Sequence, residues 1–129
     1  MKNMGRAVFL EWNDFEHNFA NFVCEKFNLE SPERVYIGRD DDMLEIFLSC
    51  LGESHKDQII SFQTNNGVAK EDADMEWDAA KTHDGSYSFS IYPPLSTTLF
   101  AEFLSTSEKI DFPIHSTHCT FDGVYAFEN

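Results

Sequence analysis

The residues with the greatest capacity for chemistry are concentrated in one acidic segment, AKEDADMEWDAA, at residues 69–80. Its carboxylates include an alternating set: Asp72, Asp74, Glu76 and Asp78. Closely spaced carboxylates can bind a cation or dock against the Lys and Arg side chains of a partner. A calcium loop is a poor fit, because Trp77 stands where the D-x-D-x-E pattern of an EF-hand requires glycine. Two interpretations remain: a docking face for a basic partner, or a solvated face that deters aggregation.

Two further features can extend such a docking face. Asp40, Asp41 and Asp42 follow one another in a segment that we expect to be a solvated turn. Trp77 is expected in the core, but at the surface it would suit an interface that fills a pocket and attracts positive charge. The candidate partner-binding residues are Asp40, Asp41, Asp42, Asp72, Asp74, Glu76, Trp77 and Asp78.

Other chemistries have weaker support. His115, His118 and Cys119 are zinc-type side chains, but in a strand the two histidines would point to opposite faces, and no second cluster completes a site. Cys24 and Cys50 lie in apolar runs, where we expect buried thiols with a high pKa. All five histidines are flanked by polar residues and are expected at the surface. The sequence contains no G-x-S-x-G motif and no phosphate-binding glycine loop. We therefore predict no catalytic group, metal or cofactor.

Composition limits the class of protein further. The chain has 129 residues, which fits one domain, and its 42% hydrophobic content includes thirteen Phe, enough for a folded core. Its net charge of −14 repels nucleic acid and anionic membranes and attracts basic proteins. No apolar run reaches the ~18 residues of a membrane span, and the N-terminal residues do not resemble a signal peptide. With an odd number of dispersed cysteines, the expected location is the cytoplasm.

The elements that position these residues can be predicted from periodicity. Residues 13–29 form the clearest helix, with Asn13 as its N-cap, Glu16 completing a capping box, and an apolar stripe of Phe15, Phe19, Phe22, Val23 and Phe27. A second helix spans 96–109 and is capped by Ser96 or Thr97. Strands are predicted at 7–12, 34–38, 43–51, 58–64, 86–92, 117–121 and 124–127, with Asp122-Gly123 as a hairpin turn. The run 43–51 also fits a short buried helix, but a loop of hairpin length after it favours a strand.

The acidic segment itself is ambiguous. As a helix it would place Glu76 among the apolar residues and Met75 among the acids. As a strand it would place Met75 and Trp77 on one face and the four alternating carboxylates on the other. Asp, Glu and Ala are poor strand residues. The neighbouring run 86–92 nevertheless alternates strictly and favours a hairpin, so the prediction is a strand with an outward acidic row.

Together these elements predict a single α+β domain over residues 1–129, with a mainly antiparallel sheet and two amphipathic helices packed on one face. In size, fold class, charge and acidic clusters at 40–42 and 71–78, the chain resembles the small immunity proteins of bacterial toxin–immunity pairs. That resemblance implies a cytosolic inhibitor of a basic toxin domain, such as a nuclease. The alternatives are a nucleic-acid mimic that blocks a DNA-binding or defence protein, and a small-ligand-binding domain. The oligomeric state is left open.

Overall fold

The computed structural model describes residues 5–40 and 43–128, which form an α+β domain with antiparallel sheets. This confirms the predicted fold class. In chain order the elements are β1 (Ala7–Glu11), α1 (Trp12–Lys26), β2 (Val35–Asp40), β3 (Met43–Leu51), α2 (Lys56–Asn65), α3 (Lys70–Ala79), β4 (Tyr87–Ile91), α4 (Leu95–Leu104), β5 (Ser116–Cys119) and β6 (Gly123–Phe127). Short 3₁₀ turns at Pro32–Arg34 and Glu53–His55 precede β2 and α2.

The six strands found in the described residues are divided between two three-stranded sheets. One has the order β1-β6-β5 and joins the first strand to the last two, and the other has the order β2-β3-β4. A hairpin between β5 and β6 is confirmed, with Cys119 opposite Val124, but its turn lies one residue earlier than predicted. Gly123 is the first residue of β6 and its carbonyl accepts from the Thr120 N–H, so Phe121 and Asp122 form the tip of the hairpin. A bulge between Leu48 and Leu51 shifts the register of β3 against β4. The prediction of strand for 43–51 is confirmed.

The core combines aromatic residues of α1 and α4 with aliphatic residues of the strands, such as Ile46 and Leu48 of β3. Four of the five residues of the predicted α1 stripe are buried and Phe22 is half-buried, as the spacing predicts. The Phe19 ring meets the Phe100 ring edge to face, with 4.9 Å between centroids. The indole Nε1 of Trp12 donates to the Thr120 carbonyl at 2.9 Å, which fixes the start of α1 against the loop between β5 and β6.

Both predicted helix caps are wrong for a tertiary reason. Helix α1 begins one residue before Asn13, because the backbone N–H of Trp12 donates to the Asp122 carbonyl and draws Trp12 into the first turn. Helix α4 begins at Leu95, and Ser96 is fully buried inside its first turn, where its hydroxyl donates to the Leu44 carbonyl at 2.6 Å. In each case a contact with a distant strand or loop replaces the local cap.

Two segments predicted as strands are helices. Residues 58–64 lie in α2, where Ile59, Ile60 and Phe62 share the buried side. Residues 70–79 form α3, so the predicted hairpin with β4 is wrong. A helix satisfies its own backbone hydrogen bonds without a partner strand. In α3 the strong helix preference of Ala, Glu, Lys and Met outweighs the strand-like alternation, because apolar side chains one turn apart can be buried together.

The predicted exposure of two residues, Cys50 and His55, also needs correction. Cys24 is buried as expected, Cys119 is buried as well, and burial raises the pKa of the Cys24 thiol. Cys50, however, is exposed, with a positive φ of 55° next to the bulge in β3. His55 is not at the surface: it is buried, and its Nδ1 accepts a hydrogen bond from the Gly52 backbone N–H at 3.0 Å.

In the described residues, every helix is too short or too polar to cross a membrane.

Candidate functional site

The acidic segment presents one exposed helical face, centred on Met75. Ala73 and Trp77, one turn apart, are buried on the inner side of α3, whereas Met75 lies on the opposite side and is 68% exposed. At about 3.6 residues per turn, the neighbours of Met75 on the outer surface are the residues three and four positions away. We call these five residues the α3 face: Glu71, Asp72, Met75, Asp78 and Ala79, all of them exposed.

The predicted row of four carboxylates is not preserved, because a helix separates residues that a strand would align. Asp72 and Asp78 belong to the α3 face. Asp74 lies at one border of the helix and forms an ion pair of 3.0 Å with Lys70, which is exposed in turn. Glu76 lies at the other border, where the Gln63 side-chain amide of α2 donates to its Oε2 atom. The structure therefore brings two of the four onto the outer face and gives the other two intramolecular partners.

The charges along α3 are poorly compensated within the helix. Glu71 and Asp72 lie in the first turn, where the helix dipole stabilises negative charge. Asp78 lies in the last turn, where the dipole disfavours it, and that turn contains no basic residue. Asp74 and Asp78 are also a like-charge pair at i, i+4, a spacing that destabilises a helix. The acidic surface thus carries a small cost in stability that a cation from outside the chain would relieve.

Trp77 anchors this helix and is not part of its surface. Its side chain is 1% exposed, so the core interpretation is confirmed and Trp77 cannot contact a partner as an exposed anchor. The indole stacks on the Tyr87 ring of β4, with 4.2 Å between centroids and 17° between planes. The Tyr87 hydroxyl donates to Glu53 Oε1 at 2.7 Å, and this hydrogen bond raises the pKa of Tyr87. Trp77 therefore fixes which carboxylates of α3 face outward.

The second acidic cluster is only partly described. Asp40 ends β2, and its backbone pairs with Met43 across the hairpin. Asp41 and Asp42 lie outside the described residues, so their predicted contribution to the acidic surface stays a prediction.

A second exposed surface, which sequence reasoning did not single out, is aromatic. On the outer side of the β1-β6-β5 sheet, Phe9, Tyr125 and Phe127 are 36–41% exposed. Phe9 and Tyr125 are cross-strand partners with ring centroids 4.7 Å apart. The Phe9 ring also covers Gly123, where a Cβ atom would lie 2.5 Å from Phe9 Cζ. The signal in the sequence was the alternation of aromatic and buried residues in AVFLE and GVYAF.

A metal centre finds no support in residues 5–40 and 43–128, where no three His, Cys, Asp or Glu side chains are grouped to hold an ion. His118 is exposed on β5 while the adjacent Cys119 is buried, so these two zinc-type side chains point to opposite faces of the sheet.

Comparison with known proteins adds no further constraint. No family model, curated protein or solved structure matches this chain. The class that fold and surface define is thus an acidic α+β domain with an exposed, carboxylate-rich helix.

Proposed function

We propose that this protein is an immunity-type inhibitor, which binds a basic protein partner through the α3 face and neutralises it. The partner class that fits best is a nuclease toxin domain. A nuclease needs a cationic groove to hold nucleic-acid phosphates. An acidic helix can occupy that groove in their place, and the net charge of −14 would accelerate the encounter.

One observation carries the proposal: an exposed methionine stands at the centre of a carboxylate-bearing face. A helix that served solubility alone would have no use for an exposed apolar side chain in the middle of its acidic face. Met75 is unbranched and flexible, and methionine is common at surfaces that bind other proteins. An apolar centre with a charged rim is also the usual anatomy of a protein interface. The like-charge pair along α3 supports the same interpretation, because basic groups of a partner would offset its repulsion.

The test compares two variants of equal net charge. In the first, Asp72→Lys and Asp78→Lys reverse two charges on the α3 face. In the matched control, Glu33→Lys and Glu108→Lys reverse two exposed charges outside α3. Each immobilised chain is exposed to a lysate of the source organism at low ionic strength and eluted with a salt step, and the retained protein is then purified for binding and nuclease assays.

The expected result is one basic protein, retained by the unmodified chain and by the control, whose nuclease activity the unmodified chain inhibits. The α3 variant should bind it at least about tenfold more weakly, equivalent to about 1.4 kcal/mol. Recovery of no basic protein would refute the proposal. A nucleic-acid mimic predicts a different pattern: many cationic proteins are retained, and both variants lose them equally because only total charge matters.

A further inference from the structure

A cleft of about 390 Å³ lies beside the acidic helix, between α2, α3 and the end of β4. Its walls combine apolar side chains with a few polar groups, and the residues relevant here are Gln63, Val68, Glu76, Ile91, Tyr92 and Leu95. Ligand sites in proteins commonly have this composition and are about 300–1,000 Å³ in volume. Among the described residues that line the cleft, none is Lys, Arg or His, and Glu76 is the one ionisable acid.

One residue that lines the cleft, Gln63, has a buried acceptor that the described residues do not satisfy. Gln63 is 2% exposed, and its amide Nε2 donates to Glu76 Oε2. Its carbonyl Oε1 is buried and accepts no hydrogen bond within the described part of the chain. Leaving a buried acceptor unpaired costs free energy, which a donor from a ligand would recover. The Gln63 carbonyl and the Glu76 carboxylate are both acceptors, so together they would bind a group that donates hydrogen bonds.

Two residues of the cleft wall are hydrogen-bonded to a carboxylate of β3 that does not itself line the cleft. Glu45 Oε2 accepts hydrogen bonds from the Ser90 hydroxyl at 3.0 Å and from the Tyr92 hydroxyl at 3.2 Å. Both hydroxyl-bearing residues line the cleft. The Tyr92 side chain is 51% exposed, and its ring offers a cation an electronegative face. The cleft thus favours a donor that is also positively charged.

We propose that this cleft receives a lysine side chain of the basic partner, an inference that rests on the proposed function. The four-carbon stem would lie along Val68, Ile91 and Leu95, and the ammonium group would donate to Glu76 and to Gln63 Oε1. Lysine fits better than arginine, because Gln63 already occupies one oxygen of the Glu76 carboxylate. A guanidinium needs both oxygens for its bidentate geometry, whereas an ammonium is a point charge with three rotatable donors.

The test uses small probes in place of the unidentified partner. The full ¹⁵N-labelled chain is titrated with n-butylammonium, n-butylguanidinium and 1-butanol, and backbone and side-chain amide shifts are followed by NMR. The ammonium should give saturable shifts at the Gln63 side chain and at Val68 and Leu95, with an affinity at least tenfold above that of either other probe. This comparison needs no variant, so it holds even if a cleft substitution impairs folding.

Two substitutions then locate the charge that matters. Glu76→Gln should weaken n-butylammonium binding at least tenfold. The matched control is Glu33→Gln, which removes the same charge from an exposed site outside α3 and the cleft and should change the affinity less than twofold. Equal affinity for 1-butanol, no effect of Glu76→Gln, or shifts centred on the outer carboxylates of α3 would each overturn the inference.

Two outcomes separate this inference from the proposed function. If a basic protein is retained by the α3 face but n-butylammonium does not bind, the lysine cleft is refuted and the inhibitor proposal stands. If n-butylammonium binds in the low micromolar range, the cleft is a site for free amines and the assignment to a partner lysine fails.

Discussion

Asp78→Lys is the substitution in which stability and binding should move in opposite directions. Asp78 is exposed in the last turn of α3, one turn after Asp74. A lysine there would complement the helix dipole and turn a like-charge pair into an acid–lysine pair in its favourable orientation. The interactions with the helix dipole and with Asp74 are both unfavourable for the native carboxylate, and both would be favourable for the lysine.

The magnitude follows from these two effects. Reversing an i, i+4 pair and a dipole interaction, each worth a few tenths of a kcal/mol at an exposed site and screened by salt, gives about 1 kcal/mol of added stability. Unfolding entropy of about 2.1 cal/mol/K per residue over 129 residues converts this to a rise in Tm of about 4 °C. The same variant should bind the partner of the α3 face more weakly.

Thermal unfolding followed by circular dichroism at low salt measures the rise. Asp78→Asn should give about half of it, and the rise should shrink in about 1 M NaCl, where the screening length is about 3 Å. Glu33→Lys is the matched control, since it relieves the same amount of net charge outside α3. If Glu33→Lys stabilises as much as Asp78→Lys, or if Asp78→Lys does not raise Tm, the account of uncompensated charge in α3 is wrong.

Three further predictions test other parts of the structure. Gly123→Ala should destabilise the domain by about 1–3 kcal/mol in urea unfolding, because its Cβ would overlap the Leu10 carbonyl oxygen; an unchanged midpoint would contradict the packing of β1 on β6. Ser96→Ala should cost about 1–3 kcal/mol, since it leaves a buried β3 carbonyl unpaired, and a neutral effect would refute that role. Hydrogen bonds led by that from Ser86 lower the pKa of Asp84 from 3.8 to about 2, so its contribution to stability is complete above about pH 4 and is lost as the pH falls toward 2; an NMR titration of Asp84 should show this midpoint, and Ser86→Ala should raise it.

Local patterns predicted the elements whose periodicity was unambiguous. The stripe of α1 repeats with helical spacing over more than three turns, and no strand alternation competes with it. In β4, Tyr87, Phe89 and Ile91 are all buried, as strict alternation requires. The turn residues Asp122 and Gly123 predicted a hairpin between β5 and β6, although the turn itself lies one residue earlier, because Gly123 is already part of β6. These features depend on neighbours in sequence, and the structure confirms them.

Positions whose outcome depends on distant contacts were not predictable in the same way. His55 is buried because its ring nitrogen caps the turn before α2, and Ser96 is buried because a β3 carbonyl lies opposite it. Cys50 is exposed because the bulge in β3 turns it out of the apolar run in which it stands. The aromatic face of the β1-β6-β5 sheet emerges only when the two ends of the chain pair.

The acidic segment combines a feature that local sequence predicts with one that depends on distant contacts. The composition of residues 69–80 predicted a concentration of negative charge around a tryptophan expected in the core. It could not determine which carboxylates share a face, because the pattern fits both a strand and a helix in part. The tertiary structure decides this by stacking Trp77 on Tyr87 with Ala73 one turn away, which buries one side of a helix. That contact turns Met75, Asp72 and Asp78 outward and leaves Glu76 at the edge of a cleft that no local pattern defines.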